Sequence, residues 1–406
     1  MKKSGFIIIL MILGTMFPVR GEVMTLEQCV DSALVYSPSV AVAALEVERA
    51  RVMKGTAFNP PMTEITLKQE TTGGGGPENG VYFGQQFDFP TLYVARHRSL
   101  QAQGDLAASR FDLLVRDIRK EVAAAYCSLQ YSKELLRLNS ELGTVYDEFC
   151  RVAEVRLKEG ETSPLELLNA RRVSEKNAME RQQEQQNYRQ WQLELQRLTG
   201  CEGVEADNWD TELIVAEELS FDFASTARGA VALKEIAVAE REYSVVKNEL
   251  LPEIRIGATV QALIKSFNPY NVERLPFGKG NFMGFEVGIS VPLFFGAQAS
   301  RIKAADVDRK ISLLNLETVE NQVMSERTKL QSEIASEATR LKYYRETALP
   351  QAEEIRRIAT VSYELGDIDY MEYISNLETA YTIYREYASS LNAYRQSMIL
   401  LEALNY

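Results

Sequence analysis

From Thr91 to Glu159 the chain contains no proline, and its apolar residues recur at three- and four-residue steps. At ~1.5 Å per residue such a run can form a helix about 100 Å long. Helices in ordinary globular domains are only a few turns long. This run turns back at Glu159-Gly160-Glu161-Thr162-Ser163-Pro164 and returns through Leu165–Thr199. A tall helical hairpin of this kind builds something long and tubular. Phe111, Val115, Ile118, Val122, Ala125 and Leu129 form one apolar stripe. Leu135, Leu138, Leu142, Val145, Phe149 and Val152 continue it in a shifted frame, as in helices packed side by side with a phase change. The returning helix carries the polar stretch Gln182–Gln192, which fits a solvated or pore-facing side.

Before the hairpin the period is different. Thr25 with Gln28 is a capping-box pattern, and helical spacing follows to about Lys54, interrupted at Pro38. After Asn59-Pro60-Pro61 the pattern shortens to two. Ile65 and Leu67 alternate with Glu64, Thr66 and Lys68; Val81, Phe83, Phe87 and Phe89 alternate with Tyr82, Gly84, Gln86 and Asp88. These predict strands at about 62–70 and 81–89, joined by a glycine-rich loop. One apolar and one polar face over about ten residues is the pattern of an outer-membrane barrel hairpin. A half-buried soluble hairpin shows the same alternation.

The plan then recurs. A helix ends at Pro252, strands are expected at about 253–264 and 282–291, and a second long hairpin spans 293–404, turning at Gly366-Asp367-Ile368-Asp369. The helical pattern continues past Pro350 to Leu365. Pro61 matches Pro252, Pro90 matches Pro292 and Gly160 matches Gly366, with drift from loop insertions. The chain therefore reads as a duplication, 22–218 and 219–406, of a helix, β-hairpin and long helical hairpin (91–200 in the first copy). The expected fold is mainly α with a membrane β part.

Composition narrows the function. Lys2 and Lys3 precede an apolar Phe6–Phe17 segment, and Val19-Arg20-Gly21 is an acceptable cleavage site, so residues 1–21 read as a secretory signal peptide. The net charge of −12 argues against a nucleic-acid partner, which would need a basic face. A single histidine, His97, and the absence of HExxH, P-loop and GxSxG patterns leave an enzyme or a metal site little to stand on. No cofactor is expected. Cys29, Cys127, Cys150 and Cys201 contain no CxxC and read as small buried hydrophobes, with a Cys29–Cys201 bridge left open.

Four strands cannot close a barrel, and an open sheet edge in hydrocarbon leaves backbone groups unpaired at several kcal/mol each. The chain is therefore expected to assemble around an axis, three copies supplying a 12-stranded β-barrel continued by an α-helical barrel. That describes a conduit across an outer membrane and periplasm of a Gram-negative bacterium, in contact with outer-membrane lipid.

Several stretches carry a resemblance. They are Thr25-Leu26-Glu27-Gln28, Leu251-Pro252-Glu253-Ile254, Val287 to Phe294, and the two tips, above all Tyr363-Glu364-Leu365-Gly366-Asp367-Ile368-Asp369. In this order, duplicated, they resemble the TolC family of outer-membrane efflux channels, over essentially the whole mature chain. Within it the Pro252 and Pro292 stretches look most like channels paired with heavy-metal resistance-nodulation-division (RND) pumps. The resemblance implies a homotrimer docked by its tips to a periplasmic adaptor (membrane fusion) protein and through it to an inner-membrane RND-type pump, passively passing metal cations or drugs. It implies adaptor contacts at Gly160, Glu161, Thr162 and Ser163 and at Gly366, Asp367, Ile368 and Asp369. By position Tyr363 matches a gate tyrosine and Glu372 an acidic pore position, with Asp367 and Asp369 as further ring carboxylates. Ile368 stands where the family can have a gate arginine. Asp369 also suits a plain helix N-cap. A type I protein-secretion channel is the alternative cargo. A periplasmic coiled-coil adaptor or scaffold is a second class, against which the duplicated strands argue.

Overall fold

The computed structural model describes residues 23–71, 77–207, 221–261 and 282–405. The expected signal peptide, residues 72–76 of the first strand-connecting loop, residues 208–220, the second strand-connecting loop and the last expected residues of the third strand (262–264) lie outside the described residues; residues 77–80, expected in the first loop, belong to the strand that follows it. The elements in chain order are β1 (Val23–Met24), α1 (Leu26–Tyr36), α2 (Pro38–Met53), β2 (Glu64–Thr71), β3 (Pro77–Phe87), α3 (Pro90–Glu159), α4 (Pro164–Thr199) and β4 (Glu205–Ala206). There follow α5 (Ala227–Asn248), β5 (Glu253–Gln261), β6 (Phe282–Ser290), α6 (Gly296–Tyr343), a π turn (Tyr344–Ala348), α7 (Leu349–Leu365) and α8 (Tyr370–Asn405).

The chain divides into two compact units that each draw on both sequence halves. One takes the N-terminal segment to Val42 with Asp112–Ala227 and Glu320–Tyr406; the other takes Ala43–Phe111 and Arg228–Val319.

The second of these holds a four-stranded antiparallel sheet, order β2-β3-β5-β6. β3 ends at Phe87, two residues before the expected end. Asp88 turns away to the incoming helix, its carboxylate 2.6 Å from Arg96 and its N–H donating to the Tyr93 hydroxyl at 2.9 Å. α6 begins at Gly296 rather than at 293. Leu293, Phe294 and Phe295 stay exposed ahead of it, and the Phe295 carbonyl accepts from Ala299 N–H.

In the other unit Thr25 and Gln28 form the reciprocal capping box on α1. Cys29 and Ala33 on α1 pack with Ile118, Val122, Ala125, Leu129 and Leu195 of α3 and α4. β1 pairs in parallel with β4 over this cluster. Tyr126 clamps the pair: its hydroxyl donates to Met24 O (2.8 Å) and accepts from Asp207 N–H (3.0 Å). All four cysteines are free thiols, so the Cys29–Cys201 bridge is not formed, and burial lifts the Cys29 and Cys127 thiols to about 11. Gly143, inside α3, is a packing position. A Cβ there would lie 2.6 Å from Asn177 Oδ1 of α4.

The helical path does continue through Pro350, by means of the π turn. Proline lacks an N–H and crowds the carbonyl four residues back. Here the ladder switches to a longer step, with Leu349 N–H donating to Tyr344 O, and Pro350 falls in the first turn of α7, where no donor is missed.

Candidate functional site

The first part of the candidate site is the sheet. The register puts Ile65 beside Phe83, Phe83 beside Ala258 and Ala258 beside Phe285; one rung toward the loops, Leu67, Val81, Val260 and Met283 line up likewise. Toward the helices the same face continues with Gln85, Ile256 and Val287, then Phe87, Ile254 and Ile289. One apolar face thus crosses all four strands. It is solvent-exposed in the single chain, 78% for Leu67 and 79% for Phe285. Gln85, a polar residue on this face, is satisfied internally: its amide donates to Pro61 O (2.8 Å) and accepts from Thr63 (2.6 Å). The opposite face carries Glu64, Thr66, Lys68, Tyr82, Gln86, Glu253, Arg255, Thr259, Glu286 and Ser290 with five glycines among the described residues, and Gln86 donates to Glu253 across it. The outer edges of β2 and β6 have no strand partner among the described residues.

The second part is the pair of hairpin tips. Each helix before a tip ends on a left-handed glycine, Gly160 at φ 77° and Gly366 at φ 79°, the conformation that closes a helix and suits glycine. At the first tip Ser163 caps α4, Pro164 opens it, and Glu166 is bonded by Thr162 and lies 3.4 Å from Arg156. Glu161 and Ser163 are exposed. At the second tip Asp369 Oδ1 accepts from Glu372 N–H at 2.8 Å, so this carboxylate is the N-cap of α8. Asp367 and Glu372 are exposed, and Ile368 is half-buried.

Tyr363 is held by aromatic neighbours. Its ring stacks on Tyr373 (centroids 4.8 Å) and meets Tyr370 edge-on (5.0 Å); Tyr370 stacks on Phe149 of α3 at 3.9 Å and donates to Val145 O at 3.0 Å. Tyr370, Tyr373 and Phe149 were not singled out from sequence. Phe149 is legible only as one of a heptad stripe, and the spacing of Tyr370 and Tyr373 behind the glycine is the signal that was there to find. Above the tip, phenols reach carboxylates on neighbouring helices: Tyr146 to Glu378 (2.8 Å), Tyr384 to Glu353 (2.9 Å) and Tyr381 to Glu141 (3.4 Å). Burial raises the Tyr363, Tyr370 and Tyr381 phenols above their usual value. Burial and the Glu353 carboxylate push Tyr384 up to about 12. The cluster is thus neutral and acts by packing and hydrogen bonding. Among the described residues no group of three or more His, Cys, Asp or Glu is placed to hold a metal.

No family model matches the sequence, and no curated protein matches it. Solved structures match in fold. The outer membrane protein VceC from Vibrio cholerae superposes with a TM-score of 0.74 over 94% of this chain and 96% of its own, at 16% identity. The outer-membrane channel OprN gives 0.75 over 96% and 93%, at 15% identity. CusC, solved in a study of transmembrane channel formation, gives 0.72 over 94% and 92%, at 16% identity. The chain has the fold of these channels.

Proposed function

We propose that the chain is the outer-membrane component of a tripartite efflux pump, a passive TolC-type duct and not an enzyme. The observation that carries this is the sheet: an apolar face exposed to solvent, a polar face behind it, and two edges without a strand partner among the described residues. In hydrocarbon those edges cannot stay open. Pairing β6 of one copy with β2 of the next around a threefold axis satisfies both, and yields a 12-stranded barrel with lipid outside and water inside, continued by a helical barrel. The exposed Met62, Leu293, Phe294 and Phe295 beside the strand ends supply an apolar and aromatic girdle of the kind found at membrane interfaces.

In this reading residues 1–21 direct export, and 22–218 and 219–406 are the two repeats. The tips at Gly160–Ser163 and Gly366–Asp369 face a periplasmic adaptor joined to an RND-type inner-membrane pump. Tyr363 and its aromatic neighbours hold the tip, while Asp367, Asp369 and Glu372 ring the entrance. Three copies of these carboxylates focus a negative potential that favours cations. Cell-envelope fractionation with native mass measurement tests the reading. A detergent-extracted trimer from the outer membrane is expected, and a salt-soluble monomer refutes it. Growth of a deletion strain on metals and on drugs then assigns the cargo.

A further inference from the structure

We propose that Tyr82 sets the bore of the barrel by lying flat on a paired glycine seat; the inference rests on the channel reading above. Tyr82 lies on the polar face of a single-layer sheet, where a side chain ordinarily stands upright from the strands. It is nevertheless only 7% exposed. The reason is beneath it. Gly84 and Gly257 are direct partners across β3 and β5. A Cβ on Gly84 would lie 2.7 Å from Tyr82 Cε1 and 2.9 Å from its hydroxyl oxygen; a Cβ on Gly257 would lie 2.8 Å from Cε2 and 2.8 Å from the same oxygen. The ring therefore occupies the space two side chains would fill, and Lys68 Nζ sits 4.9 Å from its centroid.

Two further glycines of this face, in β6, behave differently. A Cβ on Gly284 or Gly288 would meet only ordinary contacts, Thr259 Cβ at 3.8 Å and Arg255 Cβ at 3.9 Å. The seat is thus specific to the pair under Tyr82. The clashing atoms are the far end of a rotatable side chain, so adding a methyl group beneath ejects the ring and leaves the strands in place. Ejected from three copies, the phenol rings form a collar pointing into the lumen. Flat, they leave it open to bulky solutes.

Ser290 lies on the same face, paired with Glu253 at the helix end of the strands, beyond Tyr82 for a reagent entering from the loop end. In intact cells, a Ser290→Cys chain should react with both a small maleimide and a maleimide carried on a bulky polyethylene glycol, above the background of the unmodified chain. Adding Gly84→Ala and Gly257→Ala should slow the bulky reagent by about tenfold, since pore width decides entry, and leave the small one unchanged. Adding Tyr82→Ala to these should restore the bulky rate. An unchanged bulky rate with the two alanines, or slowing that persists without Tyr82, overturns the inference. If the Ser290→Cys chain reacts with the small maleimide but never with the bulky one, the bore is narrow with the ring already flat and this inference is overturned; if it reacts with neither, the channel reading fails and takes this inference with it.

Discussion

Removing one hydroxyl from the second tip tests whether the aromatic cluster holds the tips closed. Tyr370 is 4% exposed, stacks on Phe149 and donates to Val145 O at 3.0 Å. Tyr370→Phe keeps the ring and its stack and deletes only that bond. A buried hydrogen bond of this kind contributes about 1 kcal/mol net. In the proposed trimer the loss is about 3 kcal/mol, and at about 1.4 kcal/mol per factor of ten the opening equilibrium moves about a hundredfold. Single-channel recording in planar bilayers should therefore show a much greater open probability. Tyr126→Phe is the control. It removes hydroxyl bonds to Met24 and Asp207 at the N-terminal clamp and should destabilise the chain without opening it. Unchanged gating in Tyr370→Phe, or an equal shift in Tyr126→Phe, refutes the reasoning.

Other perturbations separate the remaining roles. Gly366→Ala forces a side chain to φ 79° with nothing in its way, so the cost is conformational, about 1–2 kcal/mol; faster hydrogen exchange at the second tip is the readout. Asp369→Asn keeps the cap on α8 and removes the charge, whereas Asp369→Ala also loses about 1 kcal/mol of helix stability. Weaker cation block in both variants assigns the carboxylate to the pore; a change in the alanine variant alone leaves it a cap. Val287→Lys on the exposed sheet face should cost about 2–4 kcal/mol near the bilayer midplane, seen as a smaller fraction of heat-modifiable trimer. Alkali should loosen the tip. Burial raises the Tyr363, Tyr370 and Tyr381 phenols, and Tyr384 rises to about 12. The folded state holds these protons more tightly than an unfolded chain titrating near 10. Their stabilisation is therefore complete below about pH 10 and lost as pH rises through the folded values, measurable by near-UV circular dichroism against pH.

Much of this architecture is local and was readable in the sequence. Period-two alternation put Ile65, Leu67, Val81 and Phe83 on one face because a strand reverses its side chains at every residue. Thr25 with Gln28, and glycine at positions 160 and 366, announced a helix start and two helix ends. What stayed hidden depends on residues far apart in sequence. Val23-Met24 and Glu205-Ala206 are too short to show any period, so their pairing under Tyr126 left no trace. Asp88 alternates correctly for a strand, and only Arg96 and Tyr93 draw it out of one. At the tip, the motif located Tyr363, but nothing in a heptad stripe says that Phe149 would face Tyr370. Nor does a glycine in an alternating strand reveal that a neighbouring ring lies on it.

The π turn ahead of Pro350 has a mechanical consequence. A regular helix resists bending because every rung of its ladder bears a similar share of the load. At Tyr344–Ala348 one rung is wound wider, so the ladder is locally irregular there. A pull applied at the Gly366 end is then taken up at this one place, with the seventeen-residue arm of α7 swinging as a lever. Tyr344, whose hydroxyl donates to Glu386 of α8 at 3.2 Å, ties that place to the neighbouring helix.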